Sequence, residues 1–172
     1  RLCADVWIEM SRAVVELIPP WQGGYVAGAR WLWAPGENVY FSEDFAVLIS
    51  PAMYRDFLLP ANEYLASHFS FGFIHRHSAS TQHLEALHAL PPGWAIEITL
   101  DPSGPLLNDL LPLFRRLQAA GRPLIIFGME DTQTIDLLRD GLSPRGLCLT
   151  AHAHNPDLAD RLSSPMPLTS LD

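Results

Sequence analysis

Two histidines one residue apart, His75 and His77 in "FIHRHSAST", stand where an apolar run ends and a helix begins. Two imidazoles at that spacing suit a metal site, a substrate clamp, or an ordinary solvated loop. In an extended chain, residues two apart face the same way, so one site can use both. Arg76 between them carries a planar guanidinium that fits a substrate carboxylate or a neighbouring acid. Other groups able to do chemistry also follow short apolar runs: Glu43 and Asp44, Asp101, Glu130 and Asp131, and the stretch from Cys148 through His152 to His154. Carboxylates, imidazoles and a thiol are the residue types of metal ligation and proton transfer.

The elements that must position these groups follow a rhythm: an apolar run, a polar loop, then an amphipathic stretch. The runs are "NVYF" (38–41), "FGFIH" (71–75), "AIEITL" (95–100), "PLIIFG" (123–128) and "GLCLT" (146–150). Ser50 and Pro51 have the chemistry of a helix start, and Met53, Phe57, Leu58 and Leu65 would form that helix's buried stripe, with a bend at Pro60. Further helices are expected over 80–90, 105–120 and 131–140, with Gly121 and Gly141 as stops, and a short one capped by Asn155 and Pro156. Acids at 130 and 131 suit the start of the helix that follows them. Residues 1–18 read as helix, and "PPWQGGYVAGARWLWAPGE" as helix or irregular chain with Trp21, Trp31 and Trp33 as packing residues.

Strands alternating with helices predict an α/β fold with a parallel sheet, either open or part of a (β/α)8 barrel. No G-x-G-x-x-G follows any strand, which argues against a dinucleotide-binding half. In either architecture chemistry belongs at the carboxyl ends of the strands, where the groups above fall. Parity refines this. In "AIEITL" the aliphatic Ile96, Ile98 and Leu100 must meet the helices, so Glu97 points the other way. A carboxylate placed there needs a cation, a metal or a donor, Arg76 being one candidate partner. Cys148 and Thr150 share that inward side, and His152 continues it.

Composition sets bounds. At 172 residues the chain suits one domain, taken as residues 1–162, with 163–172 as a tail. A net charge of −8 argues against a nucleic-acid surface. All eleven basic residues are arginine, so no Schiff-base lysine, pyridoxal phosphate anchor or Walker A lysine exists within these residues. No eighteen-residue apolar run predicts a membrane span. Two distant cysteines suggest no disulfide framework, and a cytoplasmic location is the expectation. The chain opens at Arg1 inside a helix-like run, so part of a longer protein is expected.

The stretch "WQGGYVAGARWLWAPGENVYFSEDFAVLISPAMYRDFLLPANEYLASHF", followed by "GFIHRHSAS", resembles the uroporphyrinogen decarboxylase superfamily. The resemblance rests on the acidic loop "SEDF", then "LISPAMYRDFLLP", then a strand ending in histidine, and it runs from about Trp21 to Leu162. It implies a TIM barrel of which these residues are the later five or so strands, the first three being absent from this chain. The superfamily includes uroporphyrinogen decarboxylases and cobalamin-dependent methyltransferases acting on thiols.

For the methyltransferase branch the resemblance implies a zinc ion held by a His-x-Cys pair and a later Cys. His75 matches the histidine, His77 stands in place of the first cysteine, and Cys148 lies near the place of the second. Asp44 and Glu97 would then act as catalytic or orienting carboxylates, with His152 as a further catalytic candidate. Glu43, Arg76 and His154 would contact substrate. Methylcobalamin on a partner corrinoid protein is the implied donor. The decarboxylase branch implies no metal or cofactor, with His152 or His154 as the late histidine, although "TAHAHN" replaces the Gly-His-Gly setting. A non-catalytic scaffold is the third expectation, and a homodimer is among the expected assemblies.

Overall fold

Four of the five strands of the main sheet have one face made of aliphatic and aromatic side chains, and the exception, β4, carries Arg76 among them; this dictates the layering. The computed structural model describes residues 1–28, 32–129 and 131–163. Helix α1 (Leu2–Leu17) is followed by a small antiparallel hairpin, β1 (Tyr25–Ala27) and β2 (Leu32–Ala34). Five parallel strands then form one sheet in chain order: β3 (Asn38–Ser42), β4 (Phe71–His77), β5 (Trp94–Thr99), β6 (Leu124–Met129) and β7 (Leu147–Ala151). The hairpin is a correction to the helical or irregular reading of residues 19–37. Its strands are only three residues each, too short to show a period. Glu130, Trp31 and the tail beyond Ser163 lie outside the described residues.

Parallel neighbours in sequence order place each crossover on the same side of the sheet, given the right-handed rule. Val39, Phe41, Ile74, Ile96, Ile98, Leu124 and Ile126 accordingly share one buried core with Ile8 of α1, Leu110, Phe114 and Leu117 of α4 (Leu107–Ala119) and Ile135 and Leu138 of α5 (Thr132–Gly141). The opposite face carries a smaller cluster of Ala27, Phe73 and Ile125, with Leu32, Tyr40, Ala95 and Cys148 against it. One face is thus buried by helices and the other is partly roofed by the hairpin. Gly72 serves this packing: a Cβ there would lie 2.7 Å from the ring of Trp94, which is fully buried on the neighbouring strand.

Between β3 and β4 the chain makes a 3₁₀ turn (Asp44–Leu48), then α2 (Pro51–Met53), a π-helical stretch (Tyr54–Leu58) and α3 (Leu59–Ala66). Ser50 caps this run as expected, its Oγ accepting from the Met53 amide at 3.2 Å. The buried stripe matches the expected one in part: Leu65 is buried and Leu58 packs against the core, but Met53 is half exposed and Phe57 largely exposed, and Tyr54 and Ala66 are buried besides. The π stretch breaks the constant 3.6-residue period, and the misplaced positions, Met53 and Phe57, lie at its start and within it. Asp131 and Asn155 cap α5 and α6 (Pro156–Leu162), accepting from the amides of Thr134 and Leu158. The segment after β4 (Ser78–Ala89) is 3₁₀ rather than α-helical. Among the described residues no helix is long and apolar enough to cross a membrane.

Candidate metal centre

Three carboxyl strand ends bring the site together. β3 and β4 run in register, with Ser42 opposite His75, and the Glu43 amide extends the ladder by donating to the His75 carbonyl at 3.2 Å. β5 continues the row, with Glu97 opposite His75 and Thr99 opposite His77. β4 stays extended through His77, so both imidazoles project from the hairpin side of the sheet, their centroids 5.1 Å apart and their planes nearly perpendicular.

Asp44 meets them from the turn after β3. Its Oδ1 lies 3.3 Å from His75 Nε2 and 3.6 Å from His77 Nε2, and Ser42 Oγ donates to the same oxygen. One donor atom from each of Asp44, His75 and His77 falls within 4.8 Å of the other two. The far side of each ring faces an acid. His77 Nδ1 stands 2.6 Å from Asp101 Oδ1, and His75 Nδ1 stands 3.4 Å from Glu97 Oε1. An N–H donated from Nδ1 to a carboxylate leaves the Nε2 lone pair available to a cation. His75 Nδ1 is buried and makes no aligned hydrogen bond, so a small ring rotation toward Glu97 would complete the second such pair.

Asp101 is itself fixed. Its Oδ2 accepts from Ser78 Oγ at 3.0 Å and from the Ala79 amide at 3.3 Å, and its own amide donates to Ser78 Oγ. Burial pushes its carboxyl up, but the bonds from His77, Ala79 and Ser78 outweigh burial and hold it below the usual aspartate range. Gly104 permits the close approach, because a Cβ there would overlap Ser78 Oγ. Three carboxylates, of Asp44, Glu97 and Asp101, surround the two imidazoles. Two imidazoles and one carboxylate are a donor set that suits zinc and leaves coordination positions open.

No protein-family model matches the chain, and comparison with curated proteins and with solved structures likewise finds no match. The functional reading therefore stands on the geometry.

Not every expected site residue is brought to this point. Arg76 and Glu43, expected as substrate contacts, lie on the helix-covered face. Arg76 is fully buried and pairs with Glu43 through Nη1, which removes both from direct contact with a ligand on the open face. Odd and even residues of β4 face opposite ways, so the neighbour of two inward histidines must point outward. The same parity separates Arg76 from Glu97. Cys148, expected as a ligand, shares the register row of His75 and Glu97 but sits three strands from β4, about 14 Å away at the usual strand spacing. It lines an apolar pocket beneath the hairpin with Phe73, Ala95 and Ile125.

His152 follows β7, its ring edge-on to Phe127 at 5.1 Å. It shares a cleft of about 480 Å³ with Asp101, Leu106, Leu110, Phe127 and Asp131. His154 is exposed beyond it, before α6. Asp101 was recognisable as a strand-end acid, but its partnership with His77 had no linear signal. Ser42 and Ser78 gave none at all.

Proposed function

We propose that Asp44, His75 and His77 hold one divalent cation, zinc, in an enzyme for metal-assisted methyl transfer to a thiol. The observation that carries this reading is the convergence of three ligand atoms, one carboxylate oxygen and two imidazole nitrogens, with Asp101 bonded behind the His77 ring and Glu97 facing the far side of His75. The parallel strands in sequence order are consistent with later units of a (β/α)8 barrel, in which sites lie at the strands' carboxyl ends. Bound zinc supplies Lewis acidity that favours the thiolate of a substrate thiol at neutral pH.

The protein's own groups do the rest. Asp101 holds the His77 imidazole in one tautomer and orientation, and Glu97 faces His75 Nδ1. The cleft between Asp101 and His152 is where the substrate would lie, with Phe127 and Leu106 excluding water from one side. Methylcobalamin carried by a corrinoid protein is the proposed donor. The alternative, metal-free decarboxylation of an acidic substrate, rests on the short His77–Asp101 pair, which orients the His77 imidazole as a candidate proton donor.

Elemental analysis of untagged protein tests the primary reading. About one zinc per chain in the wild type, lost in His75→Ala and in Asp44→Ala, is the expected result. Transfer of a methyl group from methylcobalamin to a thiol by the zinc-loaded protein would support the reaction itself. Absence of zinc from the wild type even after incubation with the ion would overturn it.

A further inference from the structure

Directly behind the three candidate ligands, on the other side of the sheet, lies a buried polar cluster that touches no candidate ligand side chain. Arg76 is fully buried, and the Glu43 side chain is 7% exposed. Glu43 accepts from Arg76 Nη1, from Tyr54 Oη at 2.9 Å and from Asn62 Nδ2 at 2.8 Å. Tyr54 is completely buried, and its ring lies 4.9 Å below the Arg76 guanidinium on one side of a stack with His83 at 4.6 Å. His83 in turn donates from Nε2 to the Ala46 carbonyl at 2.9 Å, tying in the turn that carries Asp44. Arg76 Nη2 reaches the Ser80 carbonyl at 3.5 Å, tying in the turn that follows His77.

The placement in sequence gives this cluster its meaning. Glu43 is bonded directly to Asp44, and Arg76 lies between His75 and His77. Alternation along β4 puts Arg76 on the covered side and His75 and His77 on the open side, and in the turn after β3 Glu43 meets Arg76 on the covered side while Asp44 meets His75 on the open one. Joining the covered arms fixes the relative height of the two open ones. A buried ion pair is also a poor way to gain stability, since desolvation consumes most of the attraction and an apolar pair of similar volume serves as well. What such a pair supplies is a unique geometry.

Resting on the metal-site reading above, we propose that the Glu43–Arg76 pair, with Tyr54 and Asn62, is a positioning device that holds Asp44 against His75 and His77 before a cation arrives. Glu43 and Arg76 are positioning residues, because neither reaches the open face.

The test uses the full chain, with zinc and cobalt(II) as probes. The double variant Glu43→Leu/Arg76→Met removes both charges and leaves neither one buried alone. Glu43→Gln is the milder variant, keeping acceptors for Tyr54 and Asn62. The thermal midpoint reports the fold, competitive titration reports zinc affinity, and the cobalt(II) absorption spectrum reports ligand geometry. A folded variant with affinity lowered about tenfold or more, and with an altered cobalt spectrum, is the expected result. Wild-type affinity and an unchanged spectrum in a folded double variant would overturn the positioning role while leaving the metal site intact. Unfolding of both variants would assign the cluster to stability alone and also overturn it. Wild-type protein that binds neither ion would instead refute the metal site, and the positioning role would fall with it.

Discussion

Removing the acid behind His77 separates ligand orientation from simple charge attraction. Asp101 accepts from His77 Nδ1 at 2.6 Å and is anchored by Ser78 and the Ala79 amide, so it holds the ring from a rigid base. Asp101→Asn keeps a carbonyl acceptor for Nδ1–H but loses the charge. A charge-assisted bond is worth about 1 kcal/mol more than a neutral one, so zinc affinity should fall about five- to tenfold. Asp101→Ala removes the acceptor as well, and loss of such a partner costs roughly 10- to 100-fold in metal affinity. Zinc affinity, measured by competition against a chromogenic chelator on protein shown to be folded by circular dichroism, should thus fall in the order wild type, Asn, Ala. Equal affinities for all three folded proteins would refute the reasoning, because an unoriented imidazole would then bind as well as an oriented one.

Three further outcomes follow from the same packing. Gly104→Ala should push Ser78 away from Asp101 and weaken zinc binding with little change in the thermal midpoint, a split that titration and calorimetry together would reveal. Gly72→Ala places a Cβ against the buried Trp94 ring and should cost about 1–3 kcal/mol, read from the denaturant midpoint. Stability should also decline in acid. Burial, opposed in part by the bond to Ala46 and reinforced by nearby Arg76, lowers the pKa of His83 below its ordinary value of 6.5. The unfolded chain then binds more protons, so the contribution is complete above about pH 6.5 and is lost as the pH falls toward the folded value. Asp101, also lowered, adds a second decline beginning below its ordinary value of 3.8. In His83→Phe the upper decline should vanish from urea midpoints measured between pH 7 and 5.

Much of the architecture was legible in the linear chain. All five main strands fall within two residues of the expected runs, because a strand with one face fully buried concentrates apolar residues in a short segment, here bounded by Gly, Pro or polar loop residues. The caps at Ser50, Asp131 and Asn155 were legible for a local reason: each satisfies an amide three residues away. The hairpin was not, since three-residue strands carry no period, and at the π stretch the helix stripe took Met53 and Phe57 for buried positions while Leu65 beyond it was read correctly.

The site divides in the same way. The type and spacing of residues alone determined that His75 and His77 share a side, that Glu97 faces away from the helices, and that these groups lie at strand ends, because alternation is a property of the extended backbone. Only the tertiary structure decided which acids meet which rings. It brought Asp44 rather than Cys148 to the histidines, set Asp101 behind His77, and turned Glu43 and Arg76 to the covered face. Those pairings join residues 24 to 33 positions apart, through strand register and crossover packing. No local preference encodes such distances; they follow from burying one face of the sheet completely and leaving the other open.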